Sequence, residues 1–241
     1  EFHMEASDHR GAAQTQIPPD LAVCHECLHE MNDPNDRRCR YPFVNCTNCG
    51  PRFTIVEGIP YDRPRTSMKV FPMCPECEEE YHNPRDRRFH AQPVACPNCG
   101  PRLIAHNGLS EVVVDDPVGW AVNALHSGKV LAVRGLGGFH LVVDATNEAA
   151  VQLLRERKHR QEKPLALMAD SVETIKRYCE VSPEEVQLLF DVTRPIVLLP
   201  RRGSVGEIAP SVVYDNRYYG FMLPYTPLHH LLLQGPLKIL V

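Results

Sequence analysis

The sequence predicts an α/β fold, a mixed or parallel sheet covered by helices, preceded by a small module of two four-cysteine fingers. Three observations predict it. Nine of the ten cysteines fall between Cys24 and Cys99, and 13 of the 22 prolines between Pro18 and Pro101. The CxxC pairs of that segment recur at an offset of fifty residues. From Asp116 onward, helix-capping residues and short apolar runs alternate, as they do where helices cover a sheet.

At ~100 to 200 residues per domain, 241 residues suit one large or two modest domains. The 26 Lys+Arg and 30 Asp+Glu leave a formal charge of −4, which gives no global field for nucleic acid or membrane. Both sides of residue 105 are near charge balance, so composition separates the halves where charge does not. No run approaches ~18 apolar residues, and no basic segment leads into an apolar h-region, so a soluble cytoplasmic protein is expected.

Residues 1–16 are set aside: Glu1-Phe2-His3-Met4 reads as a vector-derived tag, and the polar, aperiodic stretch after it as a disordered leader. The finger module is placed at residues 17–105. Cys24 and Cys27 are followed, eighteen residues on, by Cys46 and Cys49; Cys74 and Cys77 are followed at the same interval by Cys96 and Cys99. Asp36-Arg37-Arg38 returns as Asp86-Arg87-Arg88, and Cys49-Gly50-Pro51-Arg52 as Cys99-Gly100-Pro101-Arg102. This is an internal duplication.

Two residues between thiolates let both sulfurs reach one ion from a tight turn. Two such turns complete a tetrahedral S₄ shell, which soft thiolates in that number make a zinc site. Disulfides would need an oxidising compartment, and a redox CxxC is expected once, beside a βαβ unit. Loop-closure entropy favours pairing within each repeat over interleaved pairing. A closed four-sulfur shell has no open position, so two structural zinc ions are expected. Cys39 is read as a packing residue, because its counterpart is Phe89 and no ligand would be exchanged for Phe. His25, His29, His82 and His90 are read as surface histidines or as neighbours of the metal ligands, rather than as ligands. Ten arginines between Arg37 and Arg102 raise a nucleic-acid reading, which Glu76, Glu78, Glu79 and Glu80 weaken.

In the second half, Asp116-Pro117 starts a helix carrying Val118, Ala121, Val122 and Leu125, which Gly128 ends. Lys129 to Val133 reads as a short buried strand, Gly135-Leu136-Gly137-Gly138 as a loop, and Phe139 to Val143 as a second strand. Asn147 caps a helix with Val151, Leu153 and Leu154 that ends in the basic stretch 155–163, where Pro164 blocks continuation. Leu165 to Met168 is strand-like, Ser171 and Ser182 start two helices, and Ile196 to Leu199 is a strand. Thr226-Pro227 starts a helix through Leu233, and Leu237 to Val241 is a buried strand. The glycine loop lacks GxGxxG spacing and leads into a strand, so it reads as a turn rather than a phosphate cradle. The basic stretch reads by itself as a solvated helix terminus.

Together the motifs resemble those of the hydrogenase maturation carbamoyltransferase family, HypF. The likeness rests on RCRYPFVNCTNCGPRFT and RRFHAQPVACPNCGPRL, then RGLGGFHLVVDAT, RERKHRQEKPLALM, RPIVLLPRR and LPYTPLHHLLL. The resemblance implies a paired zinc-finger module at 17–105 and, at 113–241, most of a YrdC-like nucleotide-binding domain with a twisted mixed sheet. It implies a protein that uses ATP, with Mg, to activate carbamoyl phosphate as carbamoyl-adenylate. The carbamoyl group then passes to the C-terminal cysteine of a maturation partner, HypE. The family's basic KxR falls on Lys158 and Arg160, expected to bind ATP phosphate, with Lys163, Arg134 and His140 as further cleft residues; no catalytic residue is assigned.

By the same likeness, the family's acylphosphatase-like and metal-dependent transfer domains have no counterpart here, and the Ser-x-Asn motif that completes its nucleotide site would fall beyond Val241. The chain is therefore expected to be part of a larger enzyme, incomplete for the overall transfer. The competing reading is a zinc-stabilised RNA- or protein-binding module without activity, with double-stranded RNA as the nucleic-acid candidate.

Overall fold

A computed structural model describes residues 16–108, 110–203 and 207–241; residues 1–15, nearly all of the leader set aside above, lie outside the described residues. The finger segment contains two helices where the sequence predicts only tight turns at the cysteine pairs. α1 (His25–Asn32) and α2 (Pro75–His82) start at the first CxxC of each repeat, with Cys24 and Cys74 as N-caps and Cys27 and Cys77 buried one turn on. Both are eight residues long and mostly polar, too short to show a stripe. Arg40 and His90 adopt left-handed backbone conformations at φ 55° and 52°. Each returns its N–H to the preceding helix, at Met31 O (2.8 Å) and Tyr81 O (3.0 Å). The conformation is duplicated along with the sequence.

A hairpin of β1 (Ala105–Asn107) and β2 (Ser110–Val112) leads into the second half. Helix α3 (Pro117–His126) begins where Asp116 accepts from the Gly119 N–H at 3.0 Å. Strands β3 (Leu131–Arg134) and β4 (Phe139–Val142) form their own antiparallel hairpin. This corrects the expectation that the first of them is buried. Ala132 and Arg134 are exposed, because the hairpin lies outside the main sheet and one of its faces is uncovered.

Helix α4 (Glu148–Arg157) is capped by Asn147 and stops at Arg157, so residues 158–163 form a loop rather than further helix. The main sheet has the order β6-β7-β5-β8, built from β5 (Ala166–Ala169), β6 (Val197–Pro200), β7 (Tyr218–Met222) and β8 (Ile239–Leu240). Strands β5 and β7 are parallel and the other pairs antiparallel, so the sheet is mixed. Helices α5 (Val172–Tyr178) and α6 (Pro183–Phe190) start at Ser171 and Ser182, the latter with a full capping box through Glu185. Helix α7 (Pro227–Leu232) starts at Thr226. Among the described residues, no helix is long and apolar enough to cross a membrane.

One core cluster lies under the main sheet, where Val151, Leu154, Leu167, Ile175, Leu199 and Phe221 are almost wholly buried. The second cluster joins the halves. Val23, Cys27, Met31 and Tyr41 pack with Val118, Leu125, Leu228, Leu231 and Leu232 in one apolar body. Backbone bonds from Ala22 N to Val192 O (2.9 Å) and from Val23 N to Tyr225 O (3.0 Å) run along that seam. The fingers thus share apolar burial with α3 and α7 as well as holding their own sulfur clusters.

Candidate functional site

The eight predicted metal-binding cysteines form two clusters, Cys24/Cys27/Cys46/Cys49 and Cys74/Cys77/Cys96/Cys99, so the pairing is within each repeat. In each cluster the sulfurs all lie within 4.8 Å of one another. The close contacts are 3.7 Å (Cys24–Cys46), 3.8 Å (Cys46–Cys49) and 3.5 Å (Cys27–Cys49), and the second repeat has 3.7, 3.8 and 3.6 Å. A tetrahedron with Zn–S bonds of ~2.3 Å has edges of roughly 3.8 Å. Both clusters therefore fit one zinc ion each in donor type, number and spacing. Cys39 belongs to neither cluster, and His25, His29, His82 and His90 are exposed. The tenth cysteine, Cys179, is fully buried beside the Leu199 carbonyl, and burial pushes its thiol up to about 12.

Arginines surround the two clusters. Arg38 and Arg88 are buried, and each donates from Nε into the other repeat, at Ala95 O (2.9 Å) and Asn45 O (3.1 Å). Arg38 also holds Glu80 and Arg88 holds Glu30. Burial alone would push both carboxyl groups up, yet the hydrogen bonds and charges of these arginines hold both below the usual carboxylate range. Arg52 and Arg63 are buried as well and donate to main-chain carbonyls. Four of the ten arginines that raised a nucleic-acid reading are thus committed to the interior.

The five nucleotide-site candidates of the second half fall into two groups. Lys158 caps the C-terminus of α4, and Arg160 and Lys163 lie on the loop after it. The Lys158 and Lys163 ammonium groups make no hydrogen bond or ion pair with any described residue, whereas Arg160 donates to the carbonyls of Lys163 (3.1 Å) and Pro164. Arg134 and His140 lie on the β3–β4 hairpin, where the Arg134 guanidinium sits 5.7 Å over the Phe139 ring. The glycine loop is a turn, as expected, closed by Gly135 N to Gly138 O at 2.8 Å. A side chain at Gly135 would meet the His140 ring at 2.5 Å. His140 Nε2 is 2.9 Å from the Tyr225 hydroxyl, and both rings pack on His229. No hydrogen bond or ion pair among the described residues links the two groups.

The sequence places Arg155 in a solvated basic stretch, but the structure buries it, at 5% exposed. Its guanidinium donates to the carbonyls of Arg160 (3.0 Å), Gln161 and Lys163 (both 3.3 Å), Ser211 and Val212 (3.0 Å), and stacks 4.7 Å from the Tyr214 ring. One buried cation thereby sets the shape of the loop that carries Lys158, Arg160 and Lys163. Its position four residues after Val151, on the apolar face of α4, is the signal that marks it for burial. Beside this loop lies a cleft of about 1080 Å³. Its lining includes Gln161, Glu162, Pro164, Arg201, Arg202 and three tyrosines, and none of the five nucleotide-site candidates.

The profile described as "HypF finger" matches residues 23–56 and 73–105, and the profile described as "Telomere recombination", of the Sua5–YciO–YrdC group, matches 123–241. The chain is 52% identical over 235 residues to the carbamoyltransferase HypF of Rhodobacter capsulatus, covering 97% of this chain and 31% of that protein. It is 46% identical over 218 residues to the probable carbamoyltransferase HypF of Methanocaldococcus jannaschii, covering 90% and 28%. Among solved structures, full-length HypF in its phosphate- and nucleotide-bound form aligns with TM-score 0.87 and 52% identity over 93% of this chain and 29% of that one. HypF of T. kodakarensis aligns with TM-score 0.91 and 42% identity over 95% and 30%. The chain spans about three tenths of the length of these relatives. With the four-cysteine clusters, the mixed sheet and the matches through both halves, this chain belongs to the HypF family and carries its finger module and YrdC-like fold.

Proposed function

We propose that this chain supplies the nucleotide-binding and carbamoyl-adenylating part of a HypF carbamoyltransferase serving [NiFe] hydrogenase maturation, with the fingers at 17–105 and the nucleotide-binding domain at 113–241. The observation that carries the reading is the 52% identity over 235 residues to a carbamoyltransferase HypF, which takes in both the fingers and the cationic loop. In this reading carbamoyl phosphate is first split to carbamate and inorganic phosphate in another part of the enzyme, and a carbamate oxygen then attacks the α-phosphorus of ATP, with Mg, to give carbamoyl-adenylate and release pyrophosphate. The carbamoyl group is then passed to the C-terminal cysteine of the partner protein HypE, and the reaction takes place in the cytoplasm.

Adenylyl transfer places negative charge on phosphate oxygens, so the protein's part is positioning and electrostatic stabilisation. Lys158, whose ammonium is free of partners among the described residues, takes a phosphate oxygen. Arg160 and Lys163 flank it on a loop that Arg155 holds in shape, and a preformed loop lowers the ordering cost of binding. Arg134 and His140, on the β3–β4 hairpin and outside the lining of the cleft beside the loop, are the further nucleotide-site candidates of this reading. The zinc ions are structural: four sulfurs close each shell and leave no position for substrate.

The test is calorimetric titration of the zinc-loaded chain with Mg-ATP. Lys158→Ala and Arg160→Ala should each weaken binding about tenfold or more while circular dichroism stays native. Undiminished ATP binding by the double variant would remove this loop from the site.

A further inference from the structure

We infer that each zinc site of the duplicated module is completed by an arginine of the other repeat, so that the two sites bind metal as a coupled pair. Arg37, in the first repeat, directs Nη2 to Cys77 Sγ at 3.3 Å and Nη1 toward Cys74 Sγ at 3.9 Å. Arg87, fifty residues on, directs Nη2 to Cys27 Sγ at 3.2 Å and Nη1 toward Cys24 Sγ at 3.8 Å. The same fork spans the equivalent pair of sulfurs in each site, and in both cases it crosses between repeats.

The arrangement is anchored. Arg37 is paired with Glu80 at 2.8 Å and Arg87 with Glu30 at 2.6 Å, so each guanidinium is held between a carboxylate and the sulfurs. Each glutamate lies one turn or less after the cysteine whose sulfur is contacted, on the same helix. Each glutamate is also bound by the neighbouring buried arginine of the opposite repeat, Arg38 or Arg88. Duplication of the chain has therefore produced a reciprocal exchange of arms between the repeats.

The charge balance gives the exchange its effect. Four thiolates around Zn²⁺ leave a double negative charge, which is costly in a half-buried site unless it is paired and hydrogen-bonded. Two such shells and two glutamates carry six negative charges, and Arg37, Arg38, Arg87 and Arg88 offset four of them. The N–H···S bonds draw charge from the sulfurs and fix their directions, as outer partners of metal ligands do; losing one costs 10- to 100-fold in affinity. Because each donor comes from the other repeat, folding of one finger around its ion places the donors of the second.

The experiment uses the full chain loaded with ¹¹³Cd, which gives one resonance per site, assigned by Cys46→Ser and Cys96→Ser. Arg37→Gln should shift the resonance of the Cys74/Cys77/Cys96/Cys99 site and speed metal transfer from it to a chelator about tenfold or more. The site of its own repeat should stay close to native. Arg87→Gln should do the reverse. Arg37→Lys and Arg87→Lys, which keep the charge but lose the fork, should fall between and serve if a glutamine variant does not fold. An arginine acting only as a fold clip with glutamate would change both sites alike or neither, and either result overturns the inference, as does an effect confined to the variant's own repeat.

Discussion

The backbone N–H of Val23 donates to the carbonyl of Tyr225 at 3.0 Å, tying the strand of chain that enters the first finger to the segment that precedes α7. One residue earlier Ala22 bonds Val192, and beneath this seam finger and helix side chains share one apolar cluster.

The first prediction follows from that seam. Structural zinc contributes on the order of 10 kcal/mol or more to folding, and here part of the folded surface it maintains belongs to the α/β half. The single tryptophan, Trp120, lies on α3, which packs in the shared cluster through Val118 and Leu125. Removing metal with a chelator should therefore lower the midpoint of the Trp120 fluorescence transition as well as unfold the fingers. A Trp120 transition unchanged by chelation would mean that the halves fold independently.

A second prediction concerns which sulfurs matter. Cys39 lies outside both clusters, so Cys39→Ser should retain two zinc ions per reduced chain by elemental analysis, whereas Cys46→Ser should lose one. Loss of metal from the Cys39 variant would contradict the assignment.

These ligands were legible because a tetrahedral ion imposes its spacing on the chain: CxxC, repeated, leaves few alternatives. Helix starts were legible for a similar local reason. Asp116, Asn147, Ser171, Ser182 and Thr226 all cap helices with their side chains. What escaped the sequence depends on distant partners. Strand β7, between β5 and β6, carries Gly220 in its middle, where the Ile196 and Leu198 side chains from a distant segment take the space a side chain would need. The burial of Arg155 needs the carbonyls of Ser211 and Val212, more than fifty residues away. The crossed arms of Arg37 and Arg87 are invisible in either repeat alone.

Arg155 gives the third prediction. Arg155→Met keeps much of the side-chain volume but leaves the carbonyls of the 160–163 loop, Ser211 and Val212 without their donor. Unmade buried hydrogen bonds cost about 1 to 3 kcal/mol each, so a loss of at least about 3 kcal/mol is expected. At about 2 to 4 °C per kcal/mol for a chain of this size, thermal melting should fall by roughly 6 to 12 °C. Hydrogen exchange in the loop should rise by more than in β5. A melting point within a degree or two of native would show that the loop does not depend on this residue.

The last prediction is a pH dependence with a definite sign. Burial pushes His229 down to about 3 and His230 down to about 4, helped by the charges of His140 and His230 on the first and of Arg194 on the second. His229 Nδ1 and His230 Nε2 have no hydrogen-bond partner among the described residues. In the unfolded chain both histidines titrate near 6.5. Between that value and the folded ones, the unfolded state binds protons that the folded state refuses, so stability falls as pH drops below about 6.5. Each histidine should contribute a slope of about 1.4 kcal/mol per pH unit in that window. Urea unfolding of the zinc-loaded chain at pH 7.5, 6.5 and 5.5 should show this slope, and His229→Asn should remove about one proton's share. Because zinc release adds its own proton dependence, the quantity to compare is the difference between native and variant at each pH. A difference that stays constant across the three values would mean that His229 is not held neutral by the fold.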